Sequence, residues 1–257
     1  MAIVGLIPAA GRGKRLAPLP FPKELYPIGY QHFESDGVLQ IRPKVISQYL
    51  VDHLVQAGAT KLVIVLGRGK SDIMEYYADG SRFGVEIAYA FQEEAAGMPF
   101  ALDLAFPWLN PGDEILFGMS DTIIEPAHAF VELQSSHRRA GADLTLGLFP
   151  TSLPQKFGMV EMGQATNAVV RTIDKPKNTD LKLMWGSAAW NFKFATFMRD
   201  YLKDKGGRST ELVFGDVLNA AIDAGLKING HEQQSGKYID VGTVEDLDRA
   251  LKLFHLD

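Results

Sequence analysis

Residues 7–28 read IPAAGRGKRLAPLPFPKELYPI, a proline-rich loop that directly follows a short apolar run. Small residues open this loop, at Ala9, Ala10, Gly11 and Gly13. Such residues let a backbone approach a ligand closely and turn around phosphates without a Cβ in the way. Arg15 and Lys23 add fixed positive charge on a frame that the prolines stiffen. The stretch predicts a loop that binds a polyanion, although the basic cluster at 12–15 alone is more typical of a solvated surface loop.

The opening GRGKRL begins like a dinucleotide-binding fingerprint, G-x-G-x-x-G. Leu16 stands where the third glycine belongs, and Pro18, Pro20 and Pro22 forbid the helix that must start there. The pattern therefore argues against a dinucleotide oxidoreductase. An extended loop that wraps a nucleoside triphosphate remains open, beside a proline-rich surface loop without a ligand.

A second glycine-rich stretch, GRGKS at residues 67–71, ends like a P-loop. The first glycine of that motif would stand five residues before Gly69, where the chain has Ile64. We therefore interpret the stretch as a turn between a strand and a helix, with Ser71 as the helix cap.

Composition limits the function classes. The chain has 257 residues, 46% of them hydrophobic and 22% charged, with a net charge of −5, so it lacks the basic surplus of a nucleic-acid binder. Cysteine is absent, which excludes disulfides and thiolate metal sites. The N-terminal apolar run is too short to span a bilayer. We expect a cytoplasmic protein that binds neither nucleic acid nor membrane.

Short apolar runs alternate with helical patterns up to about residue 150. Strands are predicted at 2–7, 61–66, 85–91, 114–119 and 142–149, and helices at 43–57, around 101–108 and at 127–139. This order predicts a parallel α/β sheet with helices on both faces. Later residues form short β-like runs, a helix predicted at 210–224, and a last helix that Thr243 and Asp246 begin as a capping box. We predict one domain, 1–257, with nucleotide binding mainly in 1–150 and a smaller, partly antiparallel substrate-side layer in 151–257.

The whole stretch 7–28 resembles the signature of the sugar-1-phosphate nucleotidyltransferases, G-x-G-x-R-L-x-P…P-K-x-L-x-P-I. Further motifs follow in the family's order, at residues 79–101, 116–124 (LFGMSDTII), 156–162 (KFGMVEM), 173–177 (IDKPK) and 238–247 (YIDVGTVEDL). Glucose-1-phosphate thymidylyltransferases are the nearest group in length and central motifs, and bacterial UTP–glucose-1-phosphate uridylyltransferases share the PAAG and PKE patterns. The segment between Pro27 and Arg42 is longer than in typical relatives. The resemblance implies a Rossmann-like, mixed and mostly parallel sheet flanked by helices.

The resemblance also implies a reaction. A sugar 1-phosphate, expected to be glucose 1-phosphate, joins the nucleoside monophosphate part of dTTP or UTP, and pyrophosphate leaves. Arg15, Lys23 and Asp121 are the expected catalytic residues, with Arg15 on the pyrophosphate side and Lys23 between the two phosphates. Asp121 and Asp240 are the expected ligands of Mg²⁺, which suits a reaction that depends on positioning and charge neutralisation.

The remaining expected site residues fall into two sets. The nucleotide is assigned to Ala9, Ala10, Gly11, Gly13, Gln92 and Gly97. The sugar phosphate is assigned to Gly158, Glu161, Asp174, Lys175 and Gly186. The amide of Gln92 offers a donor and an acceptor, which matches N3–H and O4 of uracil or thymine.

A non-catalytic, sugar-nucleotide-binding regulatory module of the same fold is the alternative function. Loss of Arg15, Lys23, Asp121 or Asp240 would mark such a module, and all four residues are present. A homo-oligomer is expected by resemblance only. The sequence continues for only 17 residues after Asp240, so we expect little feedback control from a distal site.

Overall fold

The structure is a computed structural model that describes residues 2–35, 37–94, 96–203, 205 and 212–254. The strands are β1 (Ile3–Ala9), β2 (Pro27–Ser35), β3 (Val38–Val45), β4 (Lys61–Leu66), β5 (Glu86–Phe91), β6 (Glu114–Gly118), β7 (Thr122–Glu125), β8 (Leu144–Pro150), β9 (Gly158–Met162), β10 (Val169–Asp174), β11 (Leu183–Asn191), β12 (Ile228–Glu232) and β13 (Lys237–Asp240). The α-helices are α1 (Ile46–Gln56), α2 (Ser71–Tyr77), α3 (Met98–Asp103), α4 (Ala129–Ala140), α5 (Phe192–Leu202), α6 (Phe214–Asp223) and α7 (Val244–Leu253).

One mixed sheet forms the centre of the fold. Its parallel half has the order β5-β4-β1-β6, and the antiparallel strands β11, β9 and β10 continue it. Strand β8 pairs with the other edge of β11 and runs parallel to β12. The predicted mostly parallel α/β sheet with a partly antiparallel C-terminal layer is confirmed.

Two hydrophobic cores cover the faces of this sheet. Alternation along β1 sends Leu6 to one face and Ile7 to the other, and both side chains are buried. Helices α3, α5 and α6 pack on the Leu6 face, where Trp190 is fully buried. Helices α1, α2 and α4 pack on the Ile7 face. The sheet is therefore a middle layer packed on both faces, and its strand ends can position a site.

A smaller third core lies under the pair of strands β7 and β13. It contains Ile28, Ile46, Ile123, Ile239, Val241 and Ala250. These residues come from distant parts of the chain, and they join the start of β2 to α7. The core thereby fixes β7 and β13, which border the candidate site.

Four predicted helix starts differ from the structure. Helix α4 begins at Ala129 and not at the predicted residue 127. The helix expected at 43–57 begins at Ile46, because Val45 pairs with Pro27 in an antiparallel ribbon and keeps the preceding residues extended. The helix expected around 101–108 is α3, and a separate 3₁₀ turn at Phe106–Trp108 follows it. Helix α6 begins at Phe214, whereas the predicted start at 210 lies outside the described residues.

The two predicted helix caps have different outcomes. Thr243 does cap α7, since its hydroxyl oxygen accepts a hydrogen bond from the Asp246 N–H at 3.2 Å. Ser71 does not cap α2: it is the first helical residue, and Lys70 occupies the cap position. Among the described helices, none has the length and apolar character needed to cross a bilayer.

Candidate active site

Four loops meet at one edge of the sheet. Because β1, β4, β5 and β6 run parallel, their carboxyl ends lie at the same edge, and the strand order reverses on either side of β1. Ligands in open α/β sheets bind at such a point. Residues 10–22, here named the N-terminal loop, follow β1; residues 67–70 follow β4; Gln92 follows β5; and Asp121 follows β6 closely.

The backbone brings Asp121 and Asp240 together. Strand β13 pairs antiparallel with β7 so that Asp240 stands opposite Thr122. The Val241 N–H also donates a hydrogen bond of 3.1 Å to the Asp121 carbonyl. The two aspartates, 119 positions apart in the sequence, are thus neighbours at the end of one short ribbon.

Lys23 lies between these carboxylates and the N-terminal loop. It begins the 3₁₀ turn Lys23–Leu25, and its ammonium forms a salt bridge with Asp121 Oδ2. Burial alone would lower the pKa of Lys23, but the negative charges of Asp121, Glu24 and Asp240 outweigh that effect and raise it. Lys23 therefore stays protonated, and it is able to bind an anion beside the two aspartates.

The pKa of Asp240 reflects its partial burial and the nearby Asp121 carboxylate. Burial, and next the charge of Asp121, raise the pKa of Asp240 to about 6, although Lys23 and Arg15 oppose the shift. A divalent cation between the two carboxylates would remove this repulsion, and Mg²⁺ commonly takes only one or two protein carboxylates. No group of three or more metal-ligating side chains occurs in the described ranges. The donor set at this point fits Mg²⁺.

Arg15 lies on the Asp240 side of the site. A Cβ on Gly242 would stand 2.9 Å from Arg15 Nη2 and 3.0 Å from Asp240 Oδ2. Glycine at 242 therefore gives both groups the room they occupy. Arg15 is the residue expected at the pyrophosphate, and its guanidinium lies close to the expected metal ligand Asp240.

Two clefts adjoin Lys23. The first, named the loop cleft, has a volume of about 440 Å³ and lies between the N-terminal loop and residues 67–70. The second, named the strand-end cleft, has a volume of about 230 Å³. Both are lined by Ala10, Lys23 and Gln92. Lys23 therefore stands where the two clefts join.

Most of the predicted nucleotide residues line these clefts. Gly13 lines the loop cleft, and Gly11 and Gly97 line the strand-end cleft. The Gln92 side chain donates a hydrogen bond of 3.4 Å to the Gly97 carbonyl, and Gly97 has φ +112°, which a residue with a Cβ rarely adopts. Ala9 differs from the others, because its side chain is buried in the core on the Ile7 face.

The predicted sugar-phosphate residues separate into two groups. A cleft of about 150 Å³, named the sheet-edge cleft, is lined by Gly158, Asp174 and Lys175 and shares Met98 with the strand-end cleft. Lys175 has φ +42°, a strained conformation for a residue with a side chain, and its ammonium lies 3.6 Å from Asp174 Oδ2. Strain of this kind often accompanies a functional role.

Glu161 and Gly186 do not line the sheet-edge cleft as it is described. The Glu161 carboxylate pairs with Arg171 on the neighbouring strand β10. At Gly186, a Cβ would stand 2.4 Å from the ring of Tyr238, so this glycine makes room for an aromatic side chain two residues before Asp240. Their contacts with the sugar stay predictions.

Residues 67–70 are functional-site candidates that the sequence analysis dismissed. Gly67, Arg68, Gly69 and Lys70 all line the loop cleft opposite the N-terminal loop. Lys70 Nζ lies 2.6 Å from Glu24 Oε2, and both side chains are buried. Since Glu24 directly follows Lys23, this ion pair ties the β4–α2 connection to the segment that positions Lys23. The available signal was the glycine-rich, basic composition of the stretch.

Known proteins resemble this chain in both sequence and fold. The chain is 27% identical over 254 residues to a low-salt glycan biosynthesis nucleotidyltransferase of Haloferax volcanii, covering 97% of this chain and 65% of that protein. It is 26% identical over 245 residues to a UTP–glucose-1-phosphate uridylyltransferase of the same organism, covering 94% of this chain and 92% of that protein. The chain thus spans less than two thirds of the first relative.

The fold is that of a solved UDP-glucose pyrophosphorylase in complex with UDP-glucose. The TM-score is 0.80 at 20% identity, and the match covers 99% of this chain and 98% of the other. At the sequence level, residues 4–255 match the family described as nucleotidyl transferase. The chain therefore belongs to the nucleotidyl transferase family.

Proposed function

We propose that the protein joins a sugar 1-phosphate to the nucleoside monophosphate part of dTTP or UTP and releases pyrophosphate. One observation carries this proposal: Lys23, paired with Asp121 and close to Asp240, stands where the loop cleft and the strand-end cleft join. Such a position suits the α-phosphate of a bound triphosphate. Glucose 1-phosphate is the sugar substrate we propose.

Five of the candidate site residues have assigned roles in this proposed reaction. Gln92 hydrogen-bonds the base edge in the strand-end cleft, and Lys23 binds the α-phosphate and neutralises charge as the sugar phosphate attacks. Lys175 holds the sugar phosphate from the sheet-edge cleft, so that the two reacting phosphates are oriented for displacement. Asp121 and Asp240 would hold Mg²⁺, which supplies further positive charge at the α-phosphate. The residues perform no covalent step, since the sugar phosphate is itself the nucleophile.

The test is a matrix of five nucleoside triphosphates (ATP, GTP, CTP, UTP and dTTP) against several hexose 1-phosphates, with Mg²⁺ and detection of pyrophosphate. We expect turnover with UTP or dTTP and glucose 1-phosphate, and little with the other triphosphates. Asp121→Asn serves as the inactive control. Binding of nucleotide sugar without turnover in any combination would instead indicate a regulatory module.

A further inference from the structure

The stretch GRGKS, at residues 67–71, forms a second wall of the loop cleft. Ala9 on β1 pairs with Leu66 on β4, so the loops after these two strands begin side by side. A Cβ on Gly67 would stand 2.7 Å from the Ala10 carbonyl oxygen and 3.1 Å from Ala10 Cα. Any side chain at 67 would therefore push the two loops apart. The close contact holds residues 67–70 against the N-terminal loop.

The two charged residues of this wall have different surroundings. Lys70 is buried and neutralised by Glu24, so its charge is used to anchor the loop. Arg68 is exposed over 77% of its side chain, and its guanidinium pairs with Glu93, whose side chain is 58% exposed. Exposed ion pairs of this kind contribute little to stability. A stronger anion can therefore replace Glu93 at Arg68.

The arrangement of the clefts indicates the direction in which a bound triphosphate would extend. Lys23 and Gln92 mark the end of the loop cleft that joins the strand-end cleft. Arg68 and Arg12 lie at another end of the loop cleft. Both residues also line a further cleft, which adjoins the loop cleft there. With the base at Gln92 and the α-phosphate at Lys23, the following phosphates extend toward these two arginines. A guanidinium suits this place, since it can hold two phosphate oxygens at once.

We propose that Arg68 is a further phosphate-binding residue, which takes the terminal phosphates of the triphosphate and the released pyrophosphate. Glu93 is its partner when no phosphate is bound, and the phosphate displaces that carboxylate. This inference rests on the proposed function for the order of the phosphates. It does not rest on Arg15, which lies on the Asp240 side of the site.

The experiment compares Arg68→Met, Arg68→Lys and Glu93→Gln with the parent protein in calorimetric titrations with Mg²⁺. Pyrophosphate is one probe, and UDP-glucose and dTDP-glucose are the others, because a nucleotide sugar carries no phosphate in the direction of Arg68. We expect Arg68→Met to weaken pyrophosphate binding about 10-fold or more, as for lost charged hydrogen bonds. Arg68→Lys should recover part of the loss, and Glu93→Gln should tighten binding. Arg139→Met, at an exposed arginine on α4, is the matched control.

The outcomes separate this inference from the proposed function. Equal losses for pyrophosphate and for the nucleotide sugars would show that Arg68 only supports the loop, and would overturn the inference. Unchanged pyrophosphate binding in Arg68→Met, or no pyrophosphate binding by the parent protein, would overturn it as well. Failure of the parent protein to form any nucleotide sugar would refute the proposed function, while the pyrophosphate titrations would still decide the role of Arg68.

Discussion

Lys70 Nζ lies 2.6 Å from Glu24 Oε2 in a pair that is almost fully removed from solvent. Burial raises the pKa of Glu24, and Lys70 offsets only part of that effect. The attraction between the two charges therefore offsets only part of the cost of their desolvation, as is common for buried ion pairs. The pair instead fixes the position of the chain beside Lys23, because it joins Glu24 to the loop after β4.

Breaking this pair from one side should destabilise the protein strongly. Glu24→Leu leaves the Lys70 ammonium buried without its partner, and we expect the free energy of unfolding to fall by about 3–5 kcal/mol. Lys70→Met on the Glu24→Leu background should recover most of that loss. Urea unfolding followed by circular dichroism measures both.

The control for this comparison is an exposed pair with the same separation. Lys252 Nζ also lies 2.6 Å from Asp248 Oδ2, but both side chains are mostly exposed. Asp248→Asn should change stability by no more than about 1 kcal/mol. Similar losses in Glu24→Leu and Asp248→Asn would contradict the argument from burial.

Asp121 and Asp240 should act as one unit in the proposed reaction. Asp121→Asn and Asp240→Asn should each lower kcat by about 100-fold or more, since each removes one of the two carboxylates that fit Mg²⁺. The double variant should be little worse than either single one, as expected for groups that act together. Steady-state kinetics with saturating substrates measures all three. Multiplicative losses would show that the two aspartates have separate roles.

Mg²⁺ should stabilise the protein more at neutral pH than at acid pH. The folded-state pKa of Asp240 is about 6 against an ordinary 3.8, so between these values the folded protein binds more protons than the unfolded chain. Without metal, this group's contribution to stability is therefore lost as pH rises through that window. Mg²⁺ would bind the deprotonated form of Asp240, so it should raise Tm more at pH 7.5 than at pH 5.

Asp240→Asn gives the matched test of that pH dependence. Without Mg²⁺ it should raise Tm at pH 7.5, because it removes a partly buried charge next to Asp121, and it should abolish most of the response to Mg²⁺. Asp248→Asn, at an exposed position, should leave the Mg²⁺ response intact. Equal Tm shifts by Mg²⁺ at pH 5 and pH 7.5 in the parent protein would rule out Asp240 as the titrating ligand.

Structural features that depend on residues close together in the sequence were predictable. The strand at 61–66 was predicted with its observed bounds, because a strand buried on both faces is apolar throughout. The cap at Thr243 was predicted because Thr243 and Asp246 are three positions apart. The start of α1 was not, because Val45 stays extended only through its pairing with Pro27.

At the candidate site, the closeness of two aspartates was predictable in part. Asp121 and Asp240 follow β-like runs, and their adjacency agrees with the expectation of a shared site. The buried pair of Glu24 and Lys70 joins residues 46 positions apart, which no local pattern reveals. Likewise, Gly186 makes room for a ring that only the folded chain brings to it.

Lys175 combines a charge at the sheet-edge cleft with a strained backbone, and two substitutions separate these properties. Lys175→Ala and Lys175→Gly both remove the ammonium, so each should raise KM for the sugar 1-phosphate more than KM for the triphosphate. Glycine adopts φ +42° without a clash, so Lys175→Gly should be more stable than Lys175→Ala by about 1 kcal/mol. Kinetics with both substrates varied and urea unfolding measure the two effects. Lys182→Ala, at an exposed lysine nearby in sequence, is the control. If neither substitution at 175 changes KM for the sugar phosphate, Lys175 is a turn residue and the sugar phosphate is held elsewhere.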